Sequence, residues 1–307
     1  MQASNTKISD KASHDAGLKD QHFMEQALRL ALRGQGMTGS NPAVGCVIVS
    51  ADGAVVGTGW TQSGGRPHAE TEALGEAGNA ARSGTAYVTL EPCAHMGKTA
   101  PCADALVAAG LKSVFFALYD PDPRVAGRGA EKLRQAGIEV HEGLMHDAAH
   151  DINAGFLSRV SGGRPHITLK LAVSKNGFMR TPYGESPWIT GTLSRNIGHM
   201  LRATHDAVVT GRGTLETDDP SLDCRLPGLA DCAPLPVVMS RSGYFPATCK
   251  LAQRAATQTV VLACERADAD AHNGELCTFD KLSPQALLEN LGKRGVNRVL
   301  LECGPQL

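Results

Sequence analysis

The chain has 307 residues, of which 42% are hydrophobic and 20% are charged, so it is long enough for two globular domains with sizeable cores. Its formal net charge of −1 provides no basic field for nucleic acid, and no apolar run reaches the roughly 18 residues of a membrane span. Nine cysteines, an odd number, suit free thiols in a reducing compartment. Residues 1–20 are polar and lack the apolar core of a signal peptide. We therefore expect a cytoplasmic protein with a disordered leader over residues 1–20.

The first half of the chain alternates helical and strand patterns. Helices are predicted over residues 20–33, 68–77, 102–109, 129–136 and 147–160, and strands over 44–50, 54–60, 85–90, 113–119 and 138–142. Asp20 is the expected N-cap of the first helix, and Asp52-Gly53 predicts a hairpin turn between the first two strands. These patterns indicate a sheet covered by helices, in an α/β domain over residues 21–163.

A break rich in glycine and proline, Ser161–Pro165, separates this domain from a second one over residues 164–307. Strands are predicted there over residues 166–173, 206–210, 236–240, 257–263 and 298–302, with helices over 193–203 and 284–292. The Gly211-Arg-Gly213 turn lacks the third glycine of a Rossmann fingerprint, and Thr217–Pro220 is predicted as a loop. The alternation of apolar strands and helices indicates a second, parallel α/β domain.

One pattern in the first domain has the residue types of a zinc site. His68, Cys93 and Cys102 supply one imidazole and two thiolates, which leaves a fourth position open for water, as in catalytic zinc sites. Glu70, two residues after the histidine, is placed to shuttle protons. This is the H-x-E…P-C…C pattern of zinc-dependent nucleobase deaminases, except that eight residues rather than two separate the cysteines.

A structural zinc site is the alternative, and it would make the domain a binding module rather than an enzyme. It would need a fourth protein ligand, for which His95 and Cys46 are the candidates. Glu70 would then have no role. A fourth ligand close to the other three therefore distinguishes the two interpretations.

Longer motifs indicate a family. The matching segments, in order, are Asn41–Gly45, Pro67–Glu70, Tyr87–Cys102, Asp120–Gly129, Lys170–Ser174, Ser186–Thr190, Gly211–Thr214, Asp218–Leu222 and Glu302–Leu307. Over about residues 22–307 the chain resembles the bifunctional enzymes of riboflavin biosynthesis, in which a pyrimidine deaminase is fused to a reductase. The long loop between the two cysteines, with Gly97-Lys98-Thr99, is more specific to this family than the zinc pattern alone.

The resemblance implies a cytidine-deaminase-like domain followed by a dihydrofolate-reductase-like domain. It implies one Zn²⁺ per chain, NADPH, and the substrate 2,5-diamino-6-ribosylamino-4(3H)-pyrimidinone 5′-phosphate. The ring amine of this pyrimidine ribonucleotide would be lost as ammonia, and its ribosyl chain would then be reduced to ribityl. No nucleic acid or membrane partner is implied, and a homo-oligomer stays open as an alternative to a monomer.

The resemblance also implies roles for individual residues. Zinc would be held by His68, Cys93 and Cys102, with Glu70 as the catalytic proton shuttle. Residues implied to contact the deaminase substrate are Asn41, His95, Lys98, Thr99 and Asp120. Residues implied to bind NADPH are Ala172, Trp188, Thr214, Asp218 and Gly304. Residues implied to bind the reductase substrate are Ser186, Arg202, Leu222, Arg225 and Glu302.

Two of these assignments have ordinary alternatives. Lys98 offers a point charge for the 5′-phosphate, and the alternative is a solvated loop lysine. Trp188 could be a core or surface aromatic rather than a cofactor contact. The pair Arg202 and Arg225 is better suited than lysines to bidentate recognition of a phosphate.

Several positions depart from the family pattern. Thr61 replaces a histidine, Ser240 an aspartate, and Cys303 the first glycine of a pair. The chain stops at Leu307, before the last elements that the family pattern leads one to expect. We therefore expect an incomplete reductase domain with an impaired second step. A deaminase whose C-terminal domain is only a scaffold is the alternative.

Overall fold

The computed structural model describes residues 3–96, 100–123, 126–179, 189–266 and 274–304, with side chains described from residue 17 onward. The chain divides into two compact units, Met1–Ser161 and Gly162–Leu307. This division lies two residues before the predicted boundary at residues 163 and 164. Among the described residues, no helix combines the length and the apolar character needed to cross a membrane.

The first unit is a five-stranded sheet with helices. Its helices are α1 (Ala3–Leu32), α2 (Ala69–Ala77), α3 (Cys102–Ala108), α4 (Arg128–Gln135) and α5 (His146–Gly162). Its strands are β1 (Gly45–Val49), β2 (Val55–Trp60), β3 (Thr85–Val88), β4 (Ser113–Phe116) and β5 (Glu139–Glu142). The strand order is β2-β1-β3-β4-β5, in which β1 is antiparallel to β2 and β3 and the remaining pairs are parallel. These elements agree in type and order with the sequence prediction.

The start of the first helix differs from the prediction. Helix α1 begins at Ala3, so residues 3–19 of the expected disordered leader are helical and Asp20 lies inside the helix. The prediction of Asp20 as the N-cap is therefore wrong. Residues 3–19 contain no proline and a single glycine, Gly17, so nothing in them interrupts helical hydrogen bonding. Asp20 instead accepts a hydrogen bond of 2.6 Å from the hydroxyl of Tyr87.

Helix α2 lies directly on the backbone of β2. A Cβ atom at Gly57 would lie 2.1 Å from the carbonyl oxygen of Ala73, and one at Gly59 would lie 2.1 Å from that of Ala69. Both distances are far below van der Waals contact, so only glycine permits this approach. The contact fixes the start of α2, where His68 and Glu70 are found, against the buried side of the sheet.

The second unit is a parallel sheet of six strands. Its strands are β6 (His166–Leu169), β7 (Ala207–Gly211), β8 (Leu235–Met239), β9 (Val261–Cys264), β10 (Glu275–Thr278) and β11 (Arg298–Leu301). Its helices are α6 (Thr192–Ala203), α7 (Arg212–Asp218), α8 (Lys250–Ala255) and α9 (Pro284–Lys293). The strand order is β10-β9-β8-β7-β11-β6, and all of these pairs are parallel. The predicted parallel α/β arrangement is confirmed.

Three features of this unit correct the sequence analysis. Helix α7 follows β7 directly and includes part of the predicted loop, because Leu215 is buried and anchors the turn to the core. Helix α8 and strand β10 were not predicted. Strand β6 ends at Leu169 rather than at residue 173, because its partner β11 ends at Leu301, which pairs with Leu169.

His205 connects helix α6 to strand β6. Its side chain is buried, with Nδ1 2.6 Å from the carbonyl oxygen of Leu201 and Nε2 2.8 Å from Oγ1 of Thr168. A carbonyl can only accept, so Nδ1 carries the proton and the hydroxyl of Thr168 donates to Nε2. Burial lowers the pKa of His205 to about 4, and the histidine is therefore neutral in the folded unit at neutral pH.

Candidate active sites

Three potential zinc ligands converge in the first unit. His68 is the N-cap residue of α2, Cys102 is the first residue of α3, and Cys93 lies in the segment between β3 and α3. Nδ1 of His68 lies 3.3 Å from Sγ of Cys102 and 3.7 Å from Sγ of Cys93. The three ligand atoms all lie within 4.8 Å of one another, a spacing that suits a shared ion with ligand distances of about 2.0–2.3 Å.

The composition of this group favours a catalytic rather than a structural zinc site. One nitrogen and two sulfurs are donors that zinc prefers. Among the described residues, neither Cys46 nor His95 joins the group. Three protein ligands leave the fourth position open to water or substrate, as the sequence pattern predicts.

The two cysteine sulfurs are electrostatically unequal. The thiol of Cys102 donates to the sulfur of Cys93 and lowers the pKa of Cys93 to about 4, with His68 and the backbone N–H of Cys102 adding to the effect. The same contact raises the pKa of Cys102. Cys93 is therefore a thiolate at neutral pH, which is the form that binds metals.

Glu70 lies in the first turn of α2, beside these ligands. Its side chain is buried, and burial, followed by the charge on Cys93, raises its pKa to about 7. A carboxyl group with this pKa can both accept and return a proton near neutral pH. The geometry thus gives Glu70 the properties that a proton shuttle requires.

The structure describes three of the five predicted contacts to the deaminase substrate. Lys98 and Thr99 lie outside the described residues. His95 and Asp120 are close enough for the charge on His95 to lower the pKa of Asp120, although burial dominates and raises that pKa to about 6. Within the described part of the chain, Nδ1 of His95 is buried and has no hydrogen-bond partner, so it is available to a ligand.

Asn41, the third described contact, lies in the turn before β1. Its Nδ2 donates a long hydrogen bond of 3.4 Å to the carbonyl oxygen of Thr38. The turn is closed by a second bond, because Oγ1 of Thr38 donates to the carbonyl oxygen of Asn41 at 2.8 Å. This pair of bonds fixes the backbone around Asn41.

Glu91, which the sequence analysis did not single out, lies beside this site. It stands directly before Pro92 and Cys93 and is almost completely buried. A charged residue just before a proposed metal ligand is a sign of a buried carboxylate that needs hydrogen-bond donors. The donors of Glu91 lie about thirty to forty residues later in the chain, so no local pattern reveals them.

In the second unit, a cluster of charged side chains contains three of the predicted reductase residues. Nε of Arg202 donates to Oε1 of Glu302 at 2.6 Å and Nη2 donates to Oε2 at 2.9 Å. Nη1 of Arg202 also donates to the carbonyl oxygen of Asp223 at 3.0 Å. Nε of Arg225 lies 3.6 Å from Oδ1 of Asp223. Asp223 therefore connects the two arginines.

His199 belongs to the same cluster and was not predicted. It lies one helical turn before Arg202, with Nδ1 3.2 Å from the carbonyl oxygen of Asp223 and Nε2 3.5 Å from Nη2 of Arg225. Burial and the charge on Arg202 lower its pKa. Its spacing of three residues from Arg202 on a helix is the signal that could have placed it on the same face.

Five of the seven remaining predicted residues of this unit fall into three groups. Ser186 and Trp188 lie outside the described residues. Leu222 has a buried side chain in the core, so only its backbone is available for the predicted substrate contact. Thr214 and Gly304 are neighbours, because a Cβ atom at Gly304 would lie 3.8 Å from Oγ1 of Thr214.

Thr214 and Gly304 follow the carboxyl ends of β7 and β11, where parallel α/β sheets bind their ligands. Asp218, the last residue of α7, is exposed, and Ala172 is half-buried beyond the end of β6. The predicted cofactor residues that the structure describes are therefore compatible with a dinucleotide at this edge.

Two of the three departures from the family pattern make local hydrogen bonds, and the third, Cys303, has no structural explanation. Oγ1 of Thr61 accepts a hydrogen bond of 3.0 Å from the backbone N–H of Val44 and closes the end of the β1–β2 pair. Oγ of Ser240 donates to the carbonyl oxygen of Tyr244 at 3.0 Å and stabilises the turn after β8. Cys303 is half-buried, and burial raises its pKa.

Comparisons with known proteins cover both units. Residues 18–118 match the cytidine and deoxycytidylate deaminase zinc-binding region, and residues 165–307 match the RibD C-terminal domain. The riboflavin biosynthesis protein RibD of Escherichia coli is 39% identical over 94% of this chain and 83% of its own length. That of Aquifex aeolicus is 37% identical over 94% of this chain and 81% of its own.

Solved structures of related proteins have the same fold as this chain. Acinetobacter baumannii RibD superposes with a TM-score of 0.84 at 41% identity, covering 94% of this chain and 81% of that one. A Thermotoga maritima diaminohydroxyphosphoribosylaminopyrimidine deaminase/5-amino-6-(5-phosphoribosylamino)uracil reductase gives a TM-score of 0.85 at 34% identity, with coverages of 94% and 82%. Fold and site define a zinc-dependent deaminase joined to a reductase, and the chain belongs to the RibD family of riboflavin biosynthesis.

The predicted fold class is therefore confirmed, as is the prediction of an enzyme with deaminase and reductase activities that uses Zn²⁺ and NADPH. Neither a structural-zinc binding module nor a deaminase with a non-catalytic second domain is favoured, because both catalytic domains are matched.

Proposed function

We propose that His68, Cys93 and Cys102 hold the catalytic zinc and that Glu70 moves the protons of deamination. The observation that carries the proposal is the convergence of three ligand atoms within 4.8 Å beside a buried carboxyl group whose pKa is about 7. The substrate proposed is 2,5-diamino-6-ribosylamino-4(3H)-pyrimidinone 5′-phosphate, in keeping with the family of the chain.

Zinc at this position supplies Lewis acidity and makes a water in the open position more acidic. Glu70 accepts protons from the attacking water and passes them on, so that one of the two water protons ends on the adjacent ring nitrogen and the other on the amine, which leaves as ammonia while the ring carbon gains a carbonyl oxygen. His95 and Asp120, with Asn41, orient the pyrimidine. Lys98 and Thr99 are proposed to bind the 5′-phosphate, since their segment joins the two cysteine ligands.

In the second unit we propose that NADPH binds near Ala172, Trp188, Thr214, Asp218 and Gly304 and supplies the hydride that reduces the ribosyl chain. Arg225 is the more available cation for the substrate phosphate, because its side chain is 62% exposed and that of Arg202 is 14% exposed. Arg202 is held by Glu302, so this pair is proposed to orient the sugar together with Ser186 and the backbone of Leu222.

We also propose a cytoplasmic location and small molecules, rather than nucleic acid, as ligands. All nine cysteines are free thiols, which suits a reducing compartment. Lysine and arginine number 30 against 31 aspartate and glutamate residues, so the chain as a whole lacks the excess of basic residues common in nucleic-acid-binding proteins.

The experiment that tests the proposed function follows ammonia release and NADPH oxidation on one purified sample supplied with the pyrimidine nucleotide. Both are expected, with ammonia first. Removal of zinc by a chelator should stop ammonia release while NADPH oxidation on the deaminated nucleotide continues. Zinc-loaded protein that releases no ammonia from this nucleotide would contradict the proposal.

A further inference from the structure

The carboxylate of Glu91 is surrounded by backbone donors from a distant part of the chain. Oε1 accepts hydrogen bonds from the N–H groups of Gly129 at 2.9 Å and Ala130 at 3.1 Å. Oε2 accepts from those of Gly127 at 2.9 Å and Asp120 at 3.4 Å. The residue is 3% exposed, so these bonds replace water almost completely.

All four of these groups are donors, and three of them lie at the start of α4. The first N–H groups of a helix have no partner within the helix, and a carboxylate satisfies them in both charge and geometry. A glutamine at residue 91 would have the same size, but its NH₂ group would face backbone N–H groups and leave donors unpaired. The site is therefore specific for a carboxylate.

The same segment of α4 touches the chain next to the zinc ligand. Gly129 lies so close to Pro92 that a Cβ atom would be 2.0 Å from the carbonyl oxygen of Pro92. On its other side, the carbonyl oxygen of Cys93 accepts from the N–H of Ala103 in α3 at 3.1 Å. The backbone around Cys93 is thus held between two helices.

We propose that Glu91 is a positioning residue of the deaminase. It holds Cys93 at the metal through Pro92, and it holds Asp120 at the substrate through the hydrogen bond from the backbone N–H of Asp120. This inference rests on the proposed function for the identity of the metal ligand and the substrate contact. Glu91 is not one of the three proposed metal ligands, and its carboxylate oxygens accept hydrogen bonds from backbone N–H groups. It acts through the backbone of residues 91–93 and through the N–H of Asp120.

The test compares Glu91→Gln with Glu131→Gln in the full chain. Glu131 lies in the first turn of the same helix but is exposed, and its carboxylate accepts a hydrogen bond from Gln135, so its replacement removes a similar charge away from Pro92. The readouts are zinc release to a chelator, the absorption spectrum of the Co²⁺-substituted protein, and kcat and KM for ammonia release. Reduction of the deaminated nucleotide serves as the internal reference.

Glu91→Gln should release zinc about 10–100-fold faster, because groups that orient a ligand commonly affect metal affinity by this factor. Its cobalt spectrum should change, its KM for deamination should rise, and its reductase rate should equal that of the parent. Glu131→Gln should match the parent in every readout. Should Glu91→Gln fail to fold, Gly129→Ala tests the same contact, since it keeps all charges and displaces Pro92 directly.

A folded Glu91→Gln with the zinc release, cobalt spectrum and KM of the parent would overturn the inference. If the parent itself releases no ammonia, the proposed function fails, while zinc release and the cobalt spectrum still decide the role of Glu91. The two failures are therefore distinguishable.

Discussion

Arg202 and Glu302 form a two-pronged ion pair, although they are one hundred residues apart in the chain. Each side chain is only 14% exposed, and the pair joins helix α6 to the residue that follows β11. The guanidinium presents two parallel N–H groups to the two carboxylate oxygens, an arrangement that a lysine cannot reproduce. We expect this pair to stabilise the reductase unit, in addition to the orientation of the substrate proposed above.

Arg202→Lys should destabilise the second unit by about 2–3 kcal/mol. The carboxylate of Glu302 is shielded from water, and a lysine cannot replace both of the hydrogen bonds that it accepts from Arg202. The kcat/KM for NADPH oxidation should fall by roughly 30–150-fold, which is what this free energy predicts if it is lost from the bound state. The control is Arg294→Lys, whose more exposed ion pair with Glu275 should change stability by less than about 1 kcal/mol. Denaturant unfolding and steady-state kinetics measure both, and equal effects of the two substitutions would contradict the prediction.

Glu70→Gln should reduce ammonia release by roughly a hundredfold or more while the protein keeps its zinc. The amide has the size and polarity of the carboxyl group but cannot carry the proton. Metal analysis and an ammonia assay on the same preparation measure the two properties. Deamination at the parent rate in a zinc-loaded variant would remove Glu70 from the mechanism.

Cys93→Ser and Cys102→Ser should each lose most of the bound zinc and lower the stability of the first unit selectively, because metal binding and folding are coupled. Cys232→Ser, in the second unit, is the control and should keep one equivalent of zinc. Metal content and thermal unfolding of the three variants report the outcome. A full equivalent of zinc in both ligand variants would refute the assignment.

His205 should make the stability of the second unit dependent on pH between 6.5 and 4. The unfolded chain binds a proton at this histidine below its ordinary pKa of 6.5, whereas the folded unit does so only below about 4. The contribution of His205 to the free energy of unfolding is therefore complete above pH 6.5 and decreases as the pH falls. It is at most about 3 kcal/mol in all.

The free energy of unfolding, measured with denaturant at several pH values in this range, should change less steeply with pH for His205→Gln than for the parent. The glutamine variant should also be less stable at neutral pH, since its side chain fits the Leu201 and Thr168 contacts less well. His146→Gln, at an exposed histidine of the first unit, should leave the slope unchanged. Parallel curves for the parent and His205→Gln would show that His205 is not the titrating group.

The convergence of His68, Cys93 and Cys102 could be predicted from the sequence, because the chemistry of the proposed zinc site is carried by residue type and spacing. His68 and Glu70 start one helix and Cys102 starts another, so local pattern alone places them at helix ends. The role of Glu91 could not be predicted in this way. Its donors come from residues 120–130, and which backbone N–H groups meet it is decided by how α4 packs on Pro92.

In the second unit, too, features carried by local sequence could be predicted, whereas features that depend on packing could not. The apolar strands β7 and β8 are largely buried and were predicted from their composition. Helices α7 and α8, with seven and six residues, are too short to show a helical period, and only one residue of β10 is buried. The contact between Arg202 and Glu302 depends on the order of strands in the sheet, which no local pattern contains.

The glycines beneath helix α2 have a consequence for mutational scanning. Alanine at Gly57 or Gly59 would push the helix away from β2 and move His68 and Glu70 together, without removing any atom that could touch metal or substrate. A scan that replaces each residue with alanine would therefore record these two positions as essential for deamination. The scan would thus assign to the active site two positions whose part is to leave room for the backbone of α2.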